Sequence, residues 1–250
     1  GRQWRPMQDT TNDPIISQRQ PKGWLSWQRD EDYYSEGQLI WLDVDTLIRE
    51  RTNGRKSLDD FARAFFGVED GDYTPAPYTF EDVVRTLNGV VPYDWADFLR
   101  TRLDGHGPGA PLDGLARGGY RLVYAETPSD WQKTLYGEYK RNDFTYSLGI
   151  QTGEGNVIRS VQWNSPAFQA GLATGMEIVA VNGRAASPSA ISEAITAAKD
   201  PNTAVELILK DADRYRTVRI DYHDGLRYPR LERIAGTPDR LGDILTPRRR

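Results

Sequence analysis

Apolar residues recur at three- and four-residue spacings through the first half of the chain and alternate with polar ones through much of the second, which predicts helices followed by strands. Leu39, Ile40, Leu42, Leu47 and Ile48 mark a helix that begins near Tyr33 and stops at Asn53-Gly54. Ser57-Leu58-Asp59-Asp60 reads as a cap with acids in the first helical turn, ahead of Phe61, Phe65 and Phe66 on one face. Thr79-Phe80-Glu81-Asp82 repeats that signal before Val83, Val84 and Leu87, and Asp94 opens a further helix holding Trp95, Phe98, Leu99 and Leu103. The run Gly105-His106-Gly107-Pro108-Gly109 breaks the pattern, and one more helical turn over 111–116 ends at Gly118-Gly119.

From there the period is two, and residues 120–124, 156–161, 177–181, 204–209 and 217–222 read as strands. Two helices interrupt them. One is short, with Ser165 as cap, Pro166 at its first position and Gly171 as stop; the other covers 189–198. The organisation expected is an irregular packed segment over 1–32 carrying Trp4, Trp24 and Trp27, a helical region over 33–118, a strand-rich domain over 119–224 and a tail over 225–250. Leu231, Ile234, Leu241 and Ile244 are the residues by which that tail would pack back on the body.

A length of 250 residues suits two ordinary domains. No apolar run approaches the roughly eighteen residues of a membrane span, so no membrane association is expected. The net charge of -4 comes from interspersed acids and bases, which argues against the broad basic field of a nucleic-acid binder. The one pure basic run is Arg248-Arg249-Arg250. With no cysteine, disulfides, thiol nucleophiles and thiolate metal sites are excluded together, and the compartment stays open between bacterial periplasm and cytoplasm. The opening Gly1-Arg2-Gln3-Trp4-Arg5-Pro6 has no apolar signal core and reads as the start of a piece of a longer chain.

Three linked motifs in the second half carry a resemblance. Ser147-Leu148-Gly149-Ile150, then Ser165-Pro166-Ala167 with Ala170-Gly171-Leu172, then Gly175-Met176-Glu177-Ile178-Val179-Ala180-Val181-Asn182-Gly183 resemble PDZ domains, in particular the bacterial kind attached to proteases. In that family the turn before the second strand aims backbone N–H groups at a peptide's terminal carboxylate, and the peptide adds as an extra strand. The resemblance implies a carboxylate loop of Tyr146, Ser147, Leu148 and Gly149, ligand pairing along Ile150 and Gln151, and a groove lined by Ala190, Ile191, Ala194 or Ile195. Gly149 would let the backbone approach the anion closely. A packed accessory domain whose groove is filled or unused is the other reading of the same residues.

The first half looks like the helical region of the PDZ-bearing glycyl aminopeptidases, which are zinc peptidases of the thermolysin-like superfamily. The residues that carry this are Glu31-Asp32-Tyr33-Tyr34-Ser35-Glu36-Gly37-Gln38-Leu39-Ile40, Asp43-Val44-Asp45, Gly54-Arg55-Lys56-Ser57-Leu58-Asp59-Asp60-Phe61 and, in the tail, Tyr228-Pro229-Arg230-Leu231-Glu232-Arg233-Ile234. The family's zinc is held by a His-Glu-x-x-His helix and a downstream Glu that precede this region. The chain offers only His106 and His223, which cannot form a helical pair, so no metal ligand and no cofactor is expected here, with zinc in the complete enzyme. Related zinc aminopeptidases carry Tyr-x-x-Gly at a helix start, and its phenol donates to the oxyanion of the tetrahedral intermediate. Tyr34-Ser35-Glu36-Gly37 matches, which makes Tyr34 the implied catalytic residue, with Tyr33 the alternative if the register moves by one. A phenol suits the task because it stays protonated at neutral pH and donates strongly in a water-poor site. Glu36 stands where relatives often have Lys, and acids such as Asp30-Glu31-Asp32 or Asp59-Asp60 read better as caps and solvated faces than as a general acid–base pair.

The expectation is therefore an α+β chain: an all-helical module, then a PDZ domain built as a small β-barrel-like sheet with two helices. It would be the C-terminal portion of a glycyl-aminopeptidase-like metallopeptidase, inactive alone, with peptides or the N-terminal catalytic domain of the same protein as partners. The alternative is a non-catalytic PDZ module that binds peptide C-termini or protein partners.

Overall fold

The computed structural model describes residues 3–12, 25–29, 31–67 and 69–247. Trp24, Asp30 and Arg248 to Arg250 lie outside them, as does much of the 1–32 segment. In chain order the helices and strands are α1 (Met7–Thr10), α2 (Leu25–Gln28), α3 (Ser35–Thr52), α4 (Leu58–Phe66), α5 (Phe80–Val90), α6 (Trp95–Asp104), α7 (Asp113–Arg117), β1 (Tyr120–Ala125), α8 (Asp130–Glu138), β2 (Asn142–Phe144), β3 (Ile150–Thr152), β4 (Ile158–Val161), α9 (Pro166–Gln169), β5 (Glu177–Val181), β6 (Arg184–Ala185), α10 (Pro188–Ala197), β7 (Val205–Asp211), β8 (Arg214–Ile220), β9 (Tyr228–Arg233) and α11 (Arg240–Leu245). The chain divides into two compact units. One joins Gly1–Gln20, Arg29–Arg121 and Glu232–Arg250; the other joins Pro21–Gln28 and Leu122–Leu231.

The first unit is helical. Ile40, Val44, Leu47 and Ile48 recur on one face of α3 and bury it against Phe61 of α4, Leu87 and Val90 of α5, and Trp95, Phe98 and Leu99 of α6. Both α4 and α5 start in reciprocal caps, in which Ser57 N–H donates to Asp60 (2.8 Å) and Thr79 N–H to Asp82 (2.8 Å), an aspartate doing what Glu or Gln does in the usual capping box. Helix α3 ends where Asn53 turns left-handed (φ 51°) and Gly54 N–H reaches back to the Arg49 carbonyl at 2.7 Å. A Cβ on Gly114 would lie 2.6 Å from the Asp43 nitrogen, so only glycine lets α7 sit this close to α3. That approach completes a buried cluster: fully buried Asp43 pairs with Arg102 of α6 (2.5 Å) and with Arg117 of α7. The tail from Glu232 onward belongs to this unit too. Ile234 N–H donates to the Gly119 carbonyl (2.8 Å) and Leu241 N–H to that of Gly118 (3.1 Å).

The second unit is the α+β one. Its strands form two open antiparallel ladders, ordered β2-β3-β4 and β6-β5-β7-β8, joined by an isolated bridge between Val157 and Glu177. The expected barrel-like sheet is thus open: the two ladders do not close. The alternation of Val205, Leu207 and Leu209 turns one face of β7 inward, where Ile191 and Ile195 of α10 cover it together with Ile150, Ile158 and Ile178. Strands β1 and β9 pair as a separate two-stranded ribbon. Among the described residues no helix is long and apolar enough to cross a membrane.

Candidate functional site

Tyr34 is the last residue before α3, and its carbonyl already accepts from Gln38 N–H at 3.2 Å. Its side chain is 60% exposed and leans on the ring of Tyr33, with centroids 4.8 Å apart. Tyr33 packs against the helical core, and its hydroxyl approaches Glu31 at 3.4 Å, so Tyr34 is the one of the pair that presents a phenol outward. Underneath lies a residue that sequence reasoning missed. Arg29, left-handed at φ 55° and 1% exposed, sends Nε to Asp32 (2.9 Å), Nη1 to the Arg5 carbonyl (2.8 Å) and Nη2 to the Glu36 carboxylate. Glu36 is buried as a counter-ion of that guanidinium. A lone arginine without periodicity gives no sequence signal; its meaning comes from burial with carboxylates.

The second candidate is the turn between β2 and β3. These strands pair in the register Asn142↔Thr152, Asp143↔Gln151 and Phe144↔Ile150, and β4 pairs along the other edge of β3. Inside the turn, Ser147 N–H (3.1 Å) and Gly149 N–H (2.9 Å) converge on one acceptor, the Phe144 carbonyl oxygen. Ser147 is buried, and its hydroxyl oxygen accepts from Arg227 N–H at 3.1 Å. Leu148 is fully buried, and its carbonyl accepts from Ala167 N–H (2.9 Å) at the start of α9. Gly149 adopts φ 86°, and a Cβ there would fall 2.1 Å from Cβ of Ser165. Tyr146, half exposed, tilts against Tyr124 at 5.4 Å, and the Arg227 guanidinium lies 4.3 Å over the Tyr124 ring. Burial pushes the Tyr146 phenol up, and burial assisted by the Asp143 carboxylate pushes that of Tyr136 up to about 12. The predicted groove residues Ala190, Ile191, Ala194 and Ile195 are each at most 4% exposed, in the same core as Phe144 and Ile150. Near the same turn, Ser26 Oγ accepts from Trp163 N–H (2.9 Å) and Trp27 stacks on Trp163 at 4.5 Å.

His106 is exposed in the loop after α6. His223 places Nδ1 2.6 Å from the Ala198 carbonyl and Nε2 2.8 Å from Asp221 Oδ1, and the Ala198 contact raises its pKa, with Asp221 adding to the effect. Among the described residues no group of three His, Cys, Asp or Glu side chains is arranged to hold a metal ion, so the donors present do not fit a zinc centre.

No family model and no curated protein matches this chain. Its fold is shared with part of an aminopeptidase N family protein. That solved structure, from Idiomarina loihiensis, is 19% identical and superimposes over 88% of this chain with a TM-score of 0.61. The chain spans only 38% of that protein's length. The HtrA3 PDZ domain, solved with a phage-derived ligand (FGRWV), matches 46% of this chain and 91% of its own at 18% identity, with a TM-score of 0.24, too loose to bear on the turn geometry.

Proposed function

We propose that this chain is the helical and PDZ-like portion of an aminopeptidase-type metallopeptidase, and that Tyr34 is its contribution to the chemistry. The observation that carries this reading is the setting of Tyr34: an outward phenol at the start of an eighteen-residue helix, on a turn held by the buried Arg29–Glu36 pair. The fold shared with part of an aminopeptidase N family protein supports it. In that role the hydroxyl donates one hydrogen bond to the oxyanion that develops on the scissile carbonyl, a contact stronger in the transition state than in the ground state. Zinc, in the complete enzyme, belongs to residues outside this chain's donor set.

The test has two arms. The chain alone, with added zinc, is expected to leave glycyl and alanyl amides intact, and metal-dependent turnover by it would refute the proposed division of labour. In a protein that also carries a His-Glu-x-x-His domain, Tyr34→Phe is expected to lower kcat by about 10²–10³ with KM little changed. Unchanged kcat would remove Tyr34 from the chemistry.

A second reading is favoured by one observation, the convergence of the Ser147 and Gly149 N–H groups on a single oxygen. Such a pair is what a carboxylate-reading turn needs, and it points to a module that binds peptide C-termini by strand addition. Titration with free-acid and amidated peptides separates this from pure architecture, because a carboxylate reader loses affinity on amidation.

A further inference from the structure

Strand addition requires three things of its host: a free strand edge, a pocket for the ligand's last side chain, and unspent N–H donors for its carboxylate. In the second unit one three-residue strand, β2, takes all three. Its residues 142–144 pair along β3, whose other edge belongs to β4. The Phe144 side chain is 3% exposed, within the core that also holds Leu148, Ile191 and Ile195. The Phe144 carbonyl receives both turn N–H groups. That carbonyl is neutral where a ligand's terminus is charged, and N–H bonds to an anion are the stronger ones, so the turn satisfied by its own chain still favours a carboxylate. The occupant is also small. Besides Phe144 it offers Asn142, bonded to Thr152 Oγ1 at 3.3 Å, and Asp143, bonded to Gln151 Nε2 at 3.1 Å, both only half-buried.

We propose that the second unit carries a strand-addition site closed by its own β2, with the Phe144 carbonyl standing where a ligand's carboxylate would, so that an extended peptide with a free, apolar C-terminus binds only by displacing β2. The inference rests on the peptide-binding reading above. Affinity is then reduced by the fraction of molecules in which β2 is released, and freeing β2 restores it.

The probe is the hexapeptide Tyr-Lys-Arg-Asn-Asp-Phe, the chain's own sequence over 139–144, as free acid and as amide, titrated into the full chain while the Ser147 and Gly149 amide signals are followed. Phe144→Ala and Asn142→Pro, each checked for a cooperative melt, are expected to bind the free acid at least tenfold more tightly than the unaltered chain and to lose that binding on amidation. In the unaltered chain both amides are expected to exchange at least a hundredfold below the unstructured rate. Equal affinity in all three proteins, with β2 still paired to β3, overturns the closure and leaves the peptide-binding reading standing. No response at Ser147 and Gly149 in folded variants overturns both. If neither variant folds, amide exchange in the unaltered chain decides: protection supports the closure and its absence refutes it.

Discussion

At Gly149 a side chain meets two obstacles at once, since φ is 86° and a Cβ would overlap Ser165. Gly149→Ala is therefore expected to cost about 2–4 kcal/mol, combining the left-handed penalty with overpacking, as read from denaturant midpoints at constant slope. Glu36 is a different case. Its charge is tolerable in the interior because Arg29 lies against it, and Glu36→Ala would leave a buried guanidinium with only Asp32 and the Arg5 carbonyl. A loss of about 3 kcal/mol is expected, with Glu36→Gln milder because it keeps an acceptor; equal stability of the Ala variant would show that water reaches Arg29. Both residues were visible in the sequence, but the neighbours that constrain them, Ser165 and Arg29, were not readable there. A glycine before a strand advertises its backbone, whereas Glu36 looks like any helix-surface acid until Arg29 is folded beneath it.

Among the elements, the caps at Ser57, Thr79 and Ser165 and the stop at Asn53-Gly54 were legible, because a cap is made by residues three or four apart, whereas α10 starts at its Ser187 cap, two residues ahead of the expected start at Ser189. Helix α8, with a weak apolar stripe, and strand β2, with three residues, were not. Strand β2 exists because β3 offers it a partner, a long-range pairing that no local pattern announces. Helix α10 supplies a test of electrostatics. His223 contacts the carbonyl of Ala198 at its C-terminal end, where the helix dipole favours a cation, with Asp221 and Asp200 also acting on the imidazole. The folded-state pKa is raised, so the stabilisation is fully present below the unfolded value near 6.5 and is lost as pH rises through the folded value. Melting curves should show the unaltered chain losing stability relative to His223→Gln as pH increases from about 6 to 8. A pH-independent difference between the two would show that the imidazole bonds the carbonyl in its neutral form.

On the scale of the whole molecule, each unit is discontinuous in sequence. Residues 232–247 complete the helical unit and residues 25–28 belong with the strands, groupings that depend on contacts such as Ile234 to Gly119 and Trp27 to Trp163. The Asp43–Arg102–Arg117 cluster ties α3, α6 and α7 together inside the helical unit. Asp43→Ala would strand two partly buried guanidinium groups and is expected to cost about 3–5 kcal/mol, seen as faster amide exchange in α3 with α10 unaffected. Equal acceleration in both helices would mean that the units unfold as one. Sequence was sufficient for the α+β class and the capped helices, because periodicity and caps act over a few residues. Tertiary structure alone decided that Glu36 has a buried partner, that the tail joins the helices, and that the Ser147 and Gly149 N–H groups are spent on Phe144. Those outcomes depend on which distant groups burial brings together and which donors it leaves to be satisfied.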